Sequence, residues 1–327
     1  MSFISVEHLN KEFKVLQRDS GLKNAFKSFV KRKYKIIKAV DDISFQIEKG
    51  EIVGYIGPNG AGKSTTIKML TGILKRDSGT IDINGYDPFK DRIKYVRNIG
   101  VVFGQKSQLW WDIPVIESFE LLKSIYKISD KDYKENLEEL VKLLDLKDFL
   151  NTPVRNLSLG QRMRADLAAS LLHNPSILFL DEPTIGLDAV SKVSVRNFIK
   201  EINKKRNVTV ILTSHDMYDI EALTNRLIVI GNGKKLYDGT LSGIKKKFAH
   251  KKQLEIIFKG MKVIPNIKDV EIIKKTKNKV LLDVDVDKIS ISKIVKKYTE
   301  VSEIEDVNII NEDIDDIIVK LYQELSI

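Results

Sequence analysis

The chain has 327 residues, of which 43% are hydrophobic and 31% charged, and this balance favours one large or two ordinary folded domains over a disordered polypeptide. No apolar run approaches the roughly 20 residues that a membrane-spanning helix needs, and the chain contains no cysteine, which excludes disulfides and thiolate metal sites. A formal net charge of +10 leaves an anionic partner open, either nucleic acid or a lipid surface.

A strongly basic segment lies near the N-terminus, at about residues 14–38. It contains many lysines and arginines, and Asp19 is its one acidic residue. Its apolar residues keep the spacing of one helix face. They predict a basic amphipathic helix that lies either on a membrane surface or membrane protein, or in solvent with a contact to the folded core. Nucleic-acid binding is disfavoured because aromatic residues are not interleaved as stacking platforms. The apolar residues concerned are Leu22, Phe26, Phe29 and Val30.

A strand, a glycine-rich loop and a helix follow one another from residue 52. Residues 52–56 are almost all apolar, and apolar residues recur at helical spacing after the loop. The loop at residues 57–64 fits the pattern GxxxxGK[ST], in which glycines let backbone N–H groups turn onto phosphate oxygens at a helix N-terminus. The pattern predicts a nucleotide site in which Lys63 contacts the β- and γ-phosphates and Ser64 offers its hydroxyl to Mg²⁺.

A small antiparallel sheet and an inserted helical lobe are predicted around this core. Residues 43–47 and 79–85 have strand and hairpin patterns. Between about residues 106 and 170, two segments follow the three-and-four spacing of amphipathic helices. Both tryptophans of the chain, Trp110 and Trp111, lie at the start of this lobe, where they serve either as core packing or as an interaction surface.

Two predicted buried strands end in residues of catalytic types. Residues 177–180 form a short apolar run that Asp181 and Glu182 follow, and residues 208–212 form another that leads to His215. A carboxylate at such a strand end is suited to hold Mg²⁺ through water, and the adjacent one to polarise an attacking water. Asp181 is therefore expected to bind the metal and Glu182 to act as the general base.

Three segments outside the glycine-rich loop give the chain a family resemblance. They are Leu-Ser-Leu-Gly-Gln at residues 157–161, the acidic strand end at residues 178–182, and Ser-His-Asp at residues 214–216. Their order and spacing resemble the ABC ATPase family over about residues 3–240. The resemblance implies a P-loop NTPase ABC cassette of the α/β class, with a mixed sheet core, an antiparallel β arm and an inserted helical lobe. It also implies ATP hydrolysis with Mg²⁺.

The resemblance assigns roles to individual residues. In the family, the signature segment of one subunit caps the γ-phosphate held by the P-loop of the other, so the signature here is expected to act in trans within a dimer. Leu159 departs from the family, which most often has glycine there. His215 matches the histidine that senses hydrolysis, and Gln105 matches the glutamine that contacts Mg²⁺ and the attacking water. Asp188 matches the loop that communicates across the dimer.

The full set of expected site residues follows from the motif and the resemblance together. Phe13 is the better match to the aromatic residue that stacks on adenine, and Tyr34 competes with it. The expected catalytic residues are Glu182, His215 and Gln105, and the expected metal ligands are Ser64, Gln105 and Asp181. The residues expected to bind ATP are Phe13, Gly57, Pro58, Asn59, Gly60, Ala61, Gly62, Lys63, Ser64 and Thr65. The signature residues expected to act in trans are Ser158, Leu159, Gly160 and Gln161.

More than one function remains open for such an ATPase. The basic segment, the loop with both tryptophans and the C-terminal extension resemble the ABC-2-type export ATPases. That resemblance implies a separately encoded integral-membrane permease, a second ABC subunit in a homodimer, and a peripheral place on the inner face of the cell membrane. No secretory signal pattern is present, which agrees with a cytoplasmic chain. The alternatives are a soluble ABC ATPase acting on ribosomes or DNA, and the motor of an importer. No nucleic-acid partner is expected, because neither a second cassette nor a long coiled coil is present.

The C-terminal part of the chain is predicted to be a separate small α+β domain at residues 244–327, after an ABC ATPase domain at residues 1–243. Its sequence carries no catalytic motif. Strand patterns occur at residues 254–258 and 280–286, and helical patterns at residues 289–298 and 314–325.

Overall fold

The computed structural model describes residues 2–17, 33–104, 106–248, 251–259, 265, 267–311 and 313–324. The chain divides into two compact units, Met1–Gly239 and Thr240–Ile327. The division lies close to the boundary expected at residue 243. Within the described ranges, no helix is both long enough and apolar enough to cross a bilayer.

A six-stranded sheet forms the centre of the first unit. In spatial order its strands are β5 (Ile99–Phe103), β6 (Ile177–Asp181), β7 (Thr209–Thr213), β3 (Ile52–Ile56), β8 (Arg226–Gly231) and β9 (Lys234–Thr240). The pairings from β5 to β8 are parallel, and most side chains of these strands are buried, which explains their continuous apolar runs. Because β6, β7 and β3 are neighbours, their carboxyl ends lie side by side at one edge of the sheet.

A second, antiparallel sheet packs onto the first. In spatial order its strands are β2 (Lys33–Ile47), β1 (Ile4–Gln17) and β4 (Ser78–Ile83). Ile4 and Ile43 of this sheet belong to the same hydrophobic cluster as Val53 and Phe179 of the central sheet. The predicted combination of a mixed sheet core with an antiparallel β arm is confirmed.

The strands β1 and β2 extend further than predicted, into the basic segment. Their pairing continues to Gln17 opposite Lys33, so both ends of the segment at residues 14–38 are strands. Strands of this arm were predicted only at residues 43–47 and 79–85, and β-branched and aromatic side chains such as Val15 and Tyr34 favour the longer strands that the structure has. The residues proposed for an amphipathic helix, Leu22, Phe26, Phe29 and Val30, lie outside the described residues.

Helices flank the central sheet, and several of them begin at a capping side chain. The side chain of Ser129 accepts a hydrogen bond from the backbone N–H of Asp132 at the start of one lobe helix. The helices are α1 (Lys63–Leu70), α2 (Arg92–Tyr95), then α3 (Val115–Tyr126), α4 (Asp130–Leu143) and α5 (Leu159–Leu171) in the lobe, and α6 (Ala189–Arg206) and α7 (Met217–Leu223).

The second unit has its own sheet and its own hydrophobic cluster. Leu254, Leu282 and Tyr298 are among the buried residues of that cluster. The outer strands of the sheet were not predicted, because most of their side chains are exposed and lack a regular alternation. In spatial order the strands are β11 (Val270–Lys275), β12 (Lys279–Asp285), β10 (Lys251–Phe258) and β13 (Ile304–Asn311), and the helices are α8 (Leu241–Phe248), α9 (Ile291–Thr299) and α10 (Ile314–Glu324).

Candidate active site

The glycine-rich loop joins the carboxyl end of β3 to α1. Gly62 has a φ of 105°, and a Cβ atom there would lie 2.2 Å from the carbonyl oxygen of Ala39. A Cβ on Gly57 would lie 2.5 Å from the carbonyl oxygen of Ile230. Both positions therefore require glycine, the first also for its backbone conformation. No side chain caps α1, so the N–H groups of its first turn remain available to an anion.

Lys63 is the first residue of α1, and its side chain is buried. Its Nζ donates hydrogen bonds to the carbonyl oxygens of Gly57, at 2.6 Å, and Pro58, at 3.1 Å. Burial lowers the pKa of Lys63, while the negative charges of Glu182 and Asp181 act in the opposite direction. The ammonium group therefore donates hydrogen bonds to the loop and is also attracted by the negative charges of the two carboxylates.

Thr213, at the end of β7, holds both acidic residues of the site. Its Oγ1 donates to Asp181 Oδ1 at 2.6 Å. The backbone N–H of Glu182 donates to the carbonyl oxygen of Thr213, at 3.1 Å, and to its hydroxyl oxygen, at 3.2 Å. Glu182 has a φ of 56°, which a residue other than glycine rarely adopts, and these bonds help to hold it there. Sequence reasoning missed Thr213, although its place at the end of an apolar run resembles that of Asp181.

His215 and Glu182 form a contact pair across the strand ends. Nε2 of His215 lies 2.6 Å from Oε1 of Glu182, with side-chain exposures of 49% and 20%. The next residue, Asp216, caps α7 by accepting the backbone N–H of Tyr218 at 3.0 Å, and it pairs with Lys192 Nζ at 2.5 Å. The structure thus brings together two of the predicted catalytic residues and fixes the segment that carries the histidine.

A cavity of about 400 Å³ lies beside these residues, and both Ser64 and Asp181 line it. A hydroxyl and a carboxylate are hard oxygen ligands of the kind that Mg²⁺ prefers, so the residues present fit this ion. Gln105, the third expected ligand, lies outside the described residues. Across the described part of the chain, no group of three or more His, Cys, Asp or Glu could hold a metal ion. An ion here would therefore depend on oxygen atoms of a bound nucleotide as well.

The signature residues form the start of α5. Ser158 accepts the backbone N–H of Gln161 at 3.2 Å, and the Gln161 side chain accepts the backbone N–H of Ser158 at 2.9 Å, so the two make a capping box. Among the described residues that line the 400 Å³ cavity, none belongs to this turn. The structure therefore does not bring the signature to the cavity of its own chain.

Asp188 caps α6, the helix whose first turn lies against the signature. Its carboxylate accepts the backbone N–H of Ser191 and the Ser191 hydroxyl, each at 2.9 Å, which caps α6. A Cβ on Gly160 would lie 2.5 Å from Ser191 Oγ, and a Cβ on Gly186 would lie 3.0 Å from Leu159 Cδ2. The starts of α5 and α6 are therefore in close contact, and the Leu159 side chain fills space beside Gly186.

Phe13 and Tyr34 lie on the extended hairpin of β1 and β2. Phe13 pairs with Ile37, two residues before Ala39, whose backbone packs against Gly62 of the loop; Tyr34 lies further along the hairpin. Both rings are exposed, by 39% and 53%. Phe13 is therefore nearer to the phosphate-binding loop, which favours it for contact with a nucleotide base.

Replacing Phe13 with alanine is expected to raise the dissociation constant for ATP by about tenfold, because stacking on a base contributes roughly 1–3 kcal/mol. Isothermal titration calorimetry would measure the constant. Tyr34→Ala is the matched control, since it removes an exposed ring from the same hairpin, and its affinity is expected to stay within about twofold of the parent. Equal weakening by both variants would contradict the assignment.

Asp166 of α5 is a buried carboxylate that the sequence analysis missed. Its side chain is 5% exposed, and Oδ1 accepts from Ser107 Oγ at 2.9 Å and from the backbone N–H of Gln108 at 3.0 Å. These bonds fasten the loop after position 105 to the helix that begins at the signature. Burial raises the pKa of Asp166 to about 6, against the lowering effect of the hydrogen bonds from Gln108 and Ser107. The sequence signal that could have identified Asp166 is its position as a single carboxylate among apolar residues of α5.

Asp166→Asn is expected to stabilise the fold at pH 8 by about 2 kcal/mol, because a raised folded-state pKa means that ionisation of this carboxyl destabilises the folded state. The penalty develops as the pH rises from about 4, the unfolded-state value, through about 6. The gain is therefore expected to disappear towards pH 4. Urea unfolding at both pH values tests this, with Asp145→Asn on the surface as the control. An equal gain at the two pH values would count against it.

The strand, glycine-rich loop and helix, with a lysine that interacts with two carboxylates at the end of β6, define a P-loop nucleoside triphosphatase. A sequence model of the family described as "ABC transporter" matches residues 40–185. The ABC transporter ATP-binding protein NatA of Bacillus subtilis is 35% identical over 212 residues, which are 65% of this chain and 86% of NatA. The chain therefore belongs to the family of ABC transporter ATP-binding proteins, whose cassettes bind and hydrolyse ATP.

Other relatives differ in the transport that their names describe. The bacitracin transport ATP-binding protein BcrA of Bacillus licheniformis is 34% identical over 218 residues, covering 67% of this chain and 69% of BcrA. The methionine import ATP-binding protein MetN of Lactobacillus acidophilus is 31% identical over 294 residues, covering 86% of this chain and 82% of MetN. Among solved structures, the ATP-binding cassette MJ0796, a dimer in a post-hydrolysis state with ADP and Pi, has a TM-score of 0.60 and 26% identity. That match covers 73% of this chain and 98% of the cassette.

Proposed function

We propose that this chain is the ATPase subunit of an ABC-2-type membrane exporter and that it hydrolyses ATP between two copies of itself. The P-loop would bind the phosphates, and Ser64 and Asp181 would hold Mg²⁺, with Gln105 as a further ligand. The ion, when bound, neutralises charge on the phosphates. Within the chain, Glu182 accepts a proton from the attacking water, and His215 orients Glu182 through the 2.6 Å contact.

The dimer is proposed because a single chain supplies only part of the site. The signature turn does not line the cavity of its own chain, so it is placed to meet the nucleotide of a second copy. The Ser158 oxygen accepts the Gln161 N–H in the capping box, and its hydroxyl proton can donate to that nucleotide. The dimeric state described for the MJ0796 cassette supports this arrangement. The contacts between Asp188, Ser191 and Gly160 suit a joint movement of the signature and the loop at Asp188.

The observation that carries the membrane partner is the exposed tryptophan pair at the entry to the helical lobe. Trp110 and Trp111 are 41% and 51% exposed, and the guanidinium of Arg162 lies 5.5 Å from the centre of the Trp111 ring. Exposed tryptophans beside arginine are typical of protein interfaces. The loop that carries them follows the expected position of the Mg²⁺-contacting glutamine, so a permease bound here would be linked to the state of the nucleotide.

Export is the first candidate for the direction of transport, and import is the second. The basic segment and the tryptophan pair support the first, and a bacitracin transport protein is among the relatives. Similarity to MetN, which extends over 86% of this chain, favours the second. A cytoplasmic location on the inner face of the membrane follows from either candidate.

Reconstitution tests both the partner and the direction. The chain would be co-purified with a candidate permease, a multi-span membrane protein sought among the products of neighbouring genes, and placed in vesicles with the ATPase on the outer face. An exporter is expected to move compounds from a cell extract into the lumen when ATP is added, whereas an importer would empty a loaded lumen. Trp110→Ala with Trp111→Ala is expected to abolish the complex, while Ile309→Ala on the second unit serves as the exposed-residue control. Co-sedimentation with ribosomes and no membrane partner would overturn the proposal.

A further inference from the structure

Asp219, in α7, is a buried carboxylate that joins three separate segments of the first unit. It is 1% exposed. Its Oδ2 accepts from the hydroxyl groups of Thr184 and Ser214, the latter at 3.5 Å, and its Oδ1 lies 3.4 Å from Nη1 of Arg196 in α6. All three partners are at most 9% exposed. One carboxylate therefore contacts the chain after β6, the chain after β7, and the helix between them.

The segments that Asp219 joins are those that carry the contact pair of the site. Thr184 lies two residues after Glu182, and Ser214 directly precedes His215. Glu182 has a left-handed backbone conformation, with φ of 56°, and such a conformation persists only where surrounding contacts hold it. The 2.6 Å distance between the glutamate and histidine side chains therefore depends on the relative position of these two segments.

Stability alone does not account for this network. Burying a carboxylate and a guanidinium costs solvation free energy, and well-packed apolar residues in their place are often equally stable. Nη1 of Arg196 and Oδ1 of Asp219 are both buried without a hydrogen bond of good geometry, although they face each other as an ion pair. A network that is expensive to bury but joins two functional segments is better explained by its effect on their geometry.

We propose that Asp219 is a positioning residue for ATP hydrolysis, which holds Glu182 and His215 in contact through its bonds to Thr184 and Ser214. Asp219 is not among the described residues that line the 400 Å³ cavity, so it acts through its partners and does not touch the reacting atoms. Lys192, through its pair with Asp216, links the same helix α6 to the histidine segment from the solvent side. The inference rests on the roles proposed above for the glutamate and the histidine.

The sharpest test removes one hydrogen bond and keeps the ion pair. Thr184→Val replaces the hydroxyl with a methyl group of similar size and leaves Arg196 opposite Asp219. We expect kcat for ATP hydrolysis to fall about 10- to 100-fold, because a bond to a charged group is lost, while KM stays within about twofold. Thr184→Ser, which retains the hydroxyl, is expected to recover at least about half of the parent kcat.

Thr224→Val is the matched control. Thr224 is also buried, and its hydroxyl donates to the carbonyl oxygen of Ile220 in the same helix, away from the contact pair. We expect this variant to lose thermal stability as Thr184→Val does but to keep the parent kcat. If both valine variants keep the same kcat, or if Thr184→Val changes only KM, the inference is wrong.

Two further variants keep the test decisive. Should Thr184→Val fail to fold, Ser214→Ala removes the longer hydrogen bond to Asp219, together with the bond that Ser214 Oγ accepts from the backbone N–H of Asp216. The same direction of change in kcat is expected, and an unchanged kcat would overturn the inference. Glu182→Gln, measured in parallel, tests the proposed function separately from the role of Asp219. Rapid turnover by Glu182→Gln would contradict the proposed function itself, whereas an inactive Glu182→Gln beside a fully active Thr184→Val would contradict only the role of Asp219.

Discussion

Glu182→Gln is expected to lower kcat for ATP hydrolysis by about 10²- to 10⁴-fold, the usual effect of losing a general base. Glutamine has the same size and keeps an oxygen towards His215, so ATP binding through the P-loop is expected to remain at the parent affinity. With binding intact and hydrolysis blocked, the variant is expected to accumulate as an ATP-bound dimer. Phosphate release and size-exclusion chromatography with and without ATP would measure the two effects.

The control for this variant is Glu201→Gln on the exposed face of α6. Glu201 forms a surface pair with Lys205 at 2.9 Å, so the same chemical change is made outside the site. Surface pairs of this kind contribute little to stability, and turnover is expected to match the parent. An unimpaired rate of ATP hydrolysis by Glu182→Gln would contradict the assignment of Glu182 as the general base. A monomeric ATP-bound form would argue against closure of the dimer.

Ser158→Asp is expected to lower kcat about 10²-fold or more, because it places a carboxylate where the signature of one chain would face the γ-phosphate bound by the other. Two charges of like sign at about 4 Å repel by roughly 4 kcal/mol near a protein surface. Aspartate is as good a helix cap as serine, so the start of α5 is expected to remain folded. Ser158→Asn, which has the same shape and cap but no charge, is the matched control and is expected to retain clearly more activity than Ser158→Asp, because it loses the hydroxyl contact without adding a charge.

Mixing two inactive variants tests whether the signature acts in trans. Lys63→Ala damages only the P-loop, and Ser158→Asp damages only the signature. In a mixed dimer, the intact P-loop of one chain meets the intact signature of the other, so one of the two sites is complete. ATPase activity is therefore expected to return on mixing. Absence of recovery, with mixed dimers demonstrated by two affinity tags, would place the signature in the same chain as the nucleotide it contacts.

The sequence predicted the site best where its residues are close together along the chain or directly follow a buried strand. The strand, loop and helix around Lys63 form a continuous motif, and the burial of β6 and β7 on both faces produced the apolar runs that located Asp181 and His215. The outer strands β11 and β13 lacked such a pattern, because their side chains are mostly exposed. The parts of β1 and β2 that lie in the basic segment were not predicted, because the segment was interpreted from its many positive charges and not from its β-branched residues.

The supporting residues of the site could not be predicted, because their roles depend on contacts between distant parts of the chain. Thr184 and Asp219 are 35 residues apart, and Ser107 and Asp166 are 59 apart. Nothing in the immediate sequence neighbours of these residues specifies a partner. By contrast, Ser158 and Gln161 form their capping box within three residues, which is a distance at which sequence alone predicts a contact.

The left-handed backbone of Glu182 limits how this protein can be engineered. Asparagine and glycine adopt a φ of 56° with less strain than glutamate, so either would relax the main chain at this point while removing the carboxylate. A laboratory screen that selects only for heat resistance would therefore enrich variants that fold well and do not turn over. The trade-off between stability and activity, which in many enzymes is spread over a whole site, is concentrated here in one peptide unit.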